Sequence, residues 1–270
     1  MLSIKNNMRS FVAFILACIV FVCASFTPAL ADSNANASAS VYQPSSNPMQ
    51  DVQDAITAAK QSNKHVLVVM GAQWCHDSRG LVEQFNKPEM ATIISKHYEL
   101  VYVDVAYFND LRHISERFGQ AHYFATPTVM IIEANTEALL NASSMAQWGN
   151  ADSIEYADYV QYFERYSVMR QASSVQMSQQ HRSQIDAFKK HQGERLMQAY
   201  IKLTPGMIKE DKTKQPDEAF FALWREVKTF RTQLQQDIQS LNQQAQAMHK
   251  NASGAQPLVL PTYPAFSWHN

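Results

Sequence analysis

Residues 71–80 read GAQWCHDSRG and concentrate the reactive side chains of this 270-residue chain. Cys75 stands between Trp74 and His76, with Asp77 and Ser78 following. A thiolate is a nucleophile, whereas a thiol is far less reactive. The apolar run HVLVVM (65–70) ends just before this stretch, and the residues after it read as a helix. Cys75 therefore sits where a strand gives way to a helix start. Unpaired backbone N–H groups at such a start favour a thiolate. A protonated His76 would add positive charge beside the sulfur, and Asp77 would oppose it. Ser78 can donate a hydrogen bond to a thiolate and cannot form a disulfide. Cys75, His76 and Ser78 are the predicted catalytic residues. One thiol can attack a disulfide and form a mixed disulfide, but an outside thiol must then release it.

Other chemistries find less support. His65, His97, His113 and His122 are scattered, and no C-x-x-C or H-x-x-x-H spacing joins them to Cys75. No metal site and no cofactor are expected. Ser78 lacks a G-x-S-x-G elbow. The net charge of −1 gives no electrostatic footprint for nucleic acid. Three NAS triplets, at Asn36, Asn141 and Asn251, match a glycosylation acceptor. They carry no meaning in a bacterial protein, the origin that the style of the N-terminus suggests.

The N-terminus reads as a cleavable targeting signal. Lys5 and Arg9 precede the short apolar run FVAFILACIVFVC, and Ala29-Leu30-Ala31 forms an A-x-A site. Cleavage is expected after Ala31, with a periplasmic or secreted product and no stable membrane anchor. Processing would lower Lys and Arg from 23 to 21 against 24 acids, a net charge of −3, and would remove Cys18 and Cys23. Cys75 would be the sole remaining thiol, so no intramolecular disulfide could form.

These groups need a scaffold. Residues 32–49 form a polar low-complexity linker. Val52, Ala55, Ile56 and Ala59 share one helical face. HVLVVM, ELVYVDV (99–105) and TPTVMIIEA read as buried strands. SRGLVEQFN is helical, and Pro88 kinks or restarts it. NDLRHISERFG is a helix that Gly119 would cap. NTEALLNASSMAQW could hold another strand, and ADSIEYADYVQYFERY is an amphipathic helix. Residues 50–168 thus form one α/β domain, a central sheet flanked by helices. Residues 171–250 are Gln-rich and predict an α-helical extension of two antiparallel helices, with a turn at LTPG (203–206). Phe220, Leu223, Trp224, Val227, Phe230, Leu234, Ile238 and Leu241 form its apolar stripe, read as core. Residues 251–270 are a tail rich in proline and aromatics.

VLVVMGAQWCHDS resembles the active-site strand and turn of thioredoxin-like proteins, where Trp-Cys-x-x-Cys opens a helix. ATPTVMII is similar to the segment that carries that family's cis-proline. The resemblance spans residues 50–168 and implies a thioredoxin-like fold. It also implies that Trp74, Thr126 and Pro127 bind substrate, with Pro127 the cis-proline facing Cys75. Two departures stand out: Ser78 replaces the resolving cysteine, and Val69 replaces a buried aspartate. The expected activity is thiol–disulfide exchange through Cys75 alone, an oxidoreductase or isomerase chemistry acting on protein thiol or disulfide clients or a small-molecule thiol. Two alternatives remain open. One is a non-catalytic binding or scaffold protein on the same fold, and the other a covalent homodimer through Cys75. The sequence leaves the oligomeric state undefined.

Overall fold

The computed structural model describes residues 40–171, 176–215, 217–251 and 256–269. The expected signal peptide, its cleavage point after Ala31, Cys18, Cys23 and linker residues 32–39 lie outside them.

Helix α1 (Pro48–Ser62) starts where Asn47 caps it and Pro48 presets its first turn. Val52, Ile56 and Ala59 are its buried face. Strand β1 (His65–Gly71) is buried on both faces. It lies at the centre of a sheet ordered β2-β1-β3, parallel to β2 (Tyr98–Asp104) and antiparallel to β3 (Thr128–Glu133). Helix α2 (His76–Phe85) follows Cys75, and α3 (Pro88–His97) restarts at Pro88 as its spacing predicts. Helix α4 (Arg112–Arg117) ends in a Schellman motif: Gly119, at φ +75°, donates to Glu116 O, and Gln120 donates to Ser115 O.

The possible fourth strand after β3 is reduced to a single bridge between Ile132 and Leu139. The side chain of Asn141 takes over where the backbone leaves the ladder. Its Oδ1 accepts from Ile131 N at 2.9 Å, and its Nδ2 donates to Val129 O at 2.9 Å. One amide thus serves the open edge of β3 as a strand would. Asn141 is fully buried in this role, which also explains its NAS triplet without any sugar. A 3₁₀ segment (Met145–Ser153) and α5 (Tyr156–Ser167) complete the mixed α/β unit.

Helices α6 (Gln179–Thr213) and α7 (Glu218–Lys250) form the helical C-terminal region. The turn expected at 203–206 is absent: α6 runs straight through Leu203, Thr204, Pro205 and Gly206. Pro205 forfeits one helical hydrogen bond, and Ile201, four residues earlier, lies on the solvent side at 54% exposure. Water can serve the carbonyl left there. Leu196, Ala199, Tyr200, Leu203 and Met207 bury the opposite face and hold the helix together across the proline.

Two apolar clusters cover the two faces of the sheet. Leu67, Val69, Val129 and Ile131 pack with α2, α3, α5 and Trp148. Val66, Val68, Met70, Met130 and Ile132 pack in one cluster with α1, α4, α6, α7 and the tail residues Leu258 and Phe266. The C-terminal helices are therefore an added layer on one face of the sheet. The tail is tied to them by hydrogen bonds from Tyr263 to Asp237, from Ser267 to Glu226, and from Arg195 to the carbonyls of Tyr263 and Pro264.

Candidate active site

Cys75 is the N-cap residue of α2, with extended backbone (φ −83°, ψ 121°). Its carbonyl accepts the first helical hydrogen bond, from Arg79 N, while its sulfur makes no capping bond. The sulfur turns instead toward Thr126. The thiol donates to Thr126 O at 3.1 Å, and the Thr126 hydroxyl donates back to Sγ at 3.4 Å. The Thr126–Pro127 peptide bond is cis. Two segments 51 residues apart therefore meet at one sulfur.

The neighbours hold this arrangement. Trp74 Nε1 donates to Ala106 O at 2.6 Å, which fixes the indole beside the cysteine. Tyr200 of α6 donates to Phe124 O, and Thr204 donates to Tyr107 O. Helix α6 thus grips both loops that frame the site. Tyr200 also stacks on Phe108, centroids 3.9 Å apart. Its phenol is pushed up by burial, a shift that the Arg231 guanidinium moderates. Asp104, at the end of β2, is likewise pushed up by burial, partly offset by a hydrogen bond from Ala106 N.

The predicted residues fall in different places. Trp74, Cys75 and His76 line one cavity of about 660 Å³. The His76 side chain is 63% exposed and lies 3.3 Å from the Asp77 carboxylate. Asp77 also accepts from Asp152 N at 3.1 Å. Ser78 is fully buried, and its hydroxyl accepts from Ala72 N at 3.3 Å. Among the described residues it makes no hydrogen bond to the Cys75 sulfur, so its place is structural support of the turn. Thr126 and Pro127 are buried, and Pro127 lines a second, smaller pocket beside the 3₁₀ segment. Cys75 itself is only 6% exposed, and its opening is into the cavity. A disulfide between two copies would need sulfur atoms about 2 Å apart, which this enclosure opposes.

The outer wall of the cavity comes from α7. Trp224, Lys228, Arg231, Thr232, Gln235, Gln236 and Gln239 face it. Trp224 was visible in the sequence as part of an apolar stripe, but Lys228 and Arg231 were missed as site residues. Their signal is the polar spacing K-x-x-R-T-x-x-Q-Q-x-x-Q, which lies on one helical face. The 3₁₀ segment forms the remaining side with Ala146, Gln147, Gly149 and Asn150, next to Ala125. A Cβ at Gly149 would lie 2.7 Å from Ala125 Cβ, so only glycine permits this approach.

No group of His, Cys, Asp or Glu able to hold a metal occurs among the described residues. The fold is a thioredoxin-like sheet flanked by helices, and residues 47–134 match the family model described as thioredoxin-like. No curated protein matches the chain. Among solved structures, it is similar to the disulphide isomerase from Xylella fastidiosa Temecula1, at 24% identity and a TM-score of 0.42, over 46% of this chain and 94% of that one.

Proposed function

We propose that this protein performs thiol–disulfide exchange through Cys75 as a monothiol, and that it is exported by the N-terminal signal read in its sequence. The observation that carries the reading is the placement of the Cys75 sulfur against Thr126 at the mouth of a cavity. A sulfur that only filled a core would have no open volume beside it. The Cys75 thiolate attacks one sulfur of a substrate disulfide, a mixed disulfide forms, and the other substrate sulfur leaves as a thiolate. A thiol of the same client, or a small thiol in solution, then displaces Cys75. This sequence rearranges disulfides without net oxidation.

Incubating the native reduced protein with scrambled ribonuclease and a trace of free thiol tests this reading. Recovered ribonuclease activity, with a covalent adduct at Cys75 and neither effect in Cys75→Ala, is expected. Native protein that forms no adduct at Cys75 would overturn it.

The burial of Cys75 favours one second reading, a binding protein whose C-terminal helices make the useful contacts. It expects an unreactive Cys75 in the folded state and full reactivity on unfolding.

A further inference from the structure

The cavity beside Cys75 has a charge pattern that the exchange chemistry alone does not require. Residues 228, 231, 232, 235, 236 and 239 fall at helical spacing on one face of α7. The other face carries Val227, Phe230, Leu234 and Leu241 into the core. Burying that apolar face turns the polar one inward to the cavity. Two cations and several amides then look across at the sulfur.

The carboxylates near these cations are few and already engaged. Asp77 is the one acid lining the cavity, and it is held by Asp152 N and His76. Lys228 is exposed and has no hydrogen bond or ion pair among the described residues. Arg231 lies over the rings of Phe108 and Trp224, at 5.9 and 5.7 Å from their centroids, with no acid partner in that set. The rings orient its guanidinium without neutralising it. Ser143, Ser144, Gln147 and Asn150 supply further hydrogen-bonding groups opposite α7. The volume of about 660 Å³ lies within the size range of small-molecule sites. The walls from α7 and the 3₁₀ segment leave the Thr126–Pro127 backbone buried, so a folded protein has no edge to pair with.

We propose that this cavity takes a low-molecular-weight disulfide bearing carboxylates, with Lys228 and Arg231 pairing those carboxylates while Cys75 attacks the disulfide. The proposal rests on the exchange reading above and names its substrate class. In the step, the Cys75 thiol loses its proton to solvent and its sulfur bonds to one substrate sulfur. The substrate S–S bond breaks, and its electron pair leaves with the other half as a thiolate. No electrons are gained or lost overall.

The test uses three disulfides: anionic glutathione disulfide, neutral hydroxyethyl disulfide and cationic cystamine. Adduct formation at Cys75 of the full folded protein is followed by mass spectrometry, and each rate is divided by that of a free cysteine peptide. Wild type should rank glutathione disulfide first and cystamine last. Lys228→Glu should lower the glutathione to hydroxyethyl ratio about fivefold, the size of one solvent-screened charge pair. Arg231→Gln, with its fold checked by circular dichroism, should lower it as well. Equal normalised rates for all three disulfides, or an unchanged ratio in Lys228→Glu, would overturn the charge-selective site alone. Absence of any adduct with all three would overturn the reactivity of Cys75, and the substrate class with it.

Discussion

Trp224 of α7 meets Trp74 edge to face, with ring centroids 5.8 Å apart and planes at 83°. This contact joins the C-terminal region to the residue beside the reactive cysteine. Trp74 also packs edge-on against Phe108, and Phe108 stacks on Trp224 with planes at 27°, so three rings lock the α7 wall in place. Replacing Trp224 with alanine should open that wall. A maleimide reagent should modify Cys75 several-fold faster in Trp224→Ala than in wild type. Stability should fall by about 2–3 kcal/mol, less than for a fully buried tryptophan. Stopped-flow labelling and urea unfolding check the two effects, and an unchanged labelling rate would show that α7 does not gate the sulfur.

Ser78 sits one helical turn after Cys75, a spacing that brings side chains within about 5–6 Å. Cα atoms three residues apart in a helical turn are about 5 Å apart, inside the Cα range of about 4.4–6.8 Å that a disulfide spans. A small adjustment brings the Cβ atoms to the closer distance it needs. Ser78→Cys should therefore form an intramolecular bond with Cys75 on mild oxidation, at a modest loss of stability because Ala72 N loses its oxygen acceptor. Thiol titration of the oxidised variant should find none free in the region, and the reduced variant should gain the capacity to reduce insulin. Persistence of two free thiols would show that the buried side chain at position 78 cannot reach the sulfur.

Gly149 lets the 3₁₀ segment press onto Ala125, next to Thr126. Gly149→Ala should force residues 125–127 to shift, since the two Cβ atoms cannot stand 2.7 Å apart. The expected cost is about 1–3 kcal/mol, read as a lower midpoint in urea. The labelling rate of Cys75 should change with it, because Thr126 holds the sulfur. A wild-type midpoint would mean that the segment yields freely.

His122 is buried beside Tyr200, and its Nδ1–H donates to Tyr123 O at 2.8 Å, while Nε2 has no partner among the described residues. Burial pushes its pKa down to about 4, from the usual value of about 6.5. Between those values the unfolded chain binds a proton that the native chain refuses. The stability tied to this residue is complete above about pH 6.5, falls as pH drops toward 4, and stays lost below it, a change of about 3 kcal/mol. Urea midpoints across this interval should fall more steeply for wild type than for His122→Asn, whose amide cannot titrate. Parallel curves would assign the loss to other groups.

Much of the thioredoxin-like unit is written in neighbouring residues. Continuous apolar runs mark β1 and β3 because strands buried on both faces need apolar residues throughout. Strand β2, expected as a buried strand, is instead an edge strand whose residues Glu99 to Tyr102 are only half-buried. Pro88 marks the start of α3, and Gly119 the end of α4, because each constrains its own backbone. The place of Cys75 at a helix start was legible for the same reason. Asn141 was not: its triplet suggests a surface sugar site, whereas its amide completes the edge of β3. Pro205 and Gly206 suggest a turn, yet packing of Leu203 and Met207 outweighs the local preference of two residues.

The sequence by itself determined the order of the three strands and the helices around them, the place of Cys75 at the sheet's end and the apolar stripe of α7. Only the tertiary structure decided that Ser78 would face Ala72 rather than the sulfur, that Thr126 would be buried, and that Lys228 and Arg231 would look onto Cys75. Periodicity follows from short-range backbone geometry and can be read along the chain. The cavity brings together residues about 150 positions apart in sequence, and their meeting depends on which face of the sheet α7 buries its apolar side against.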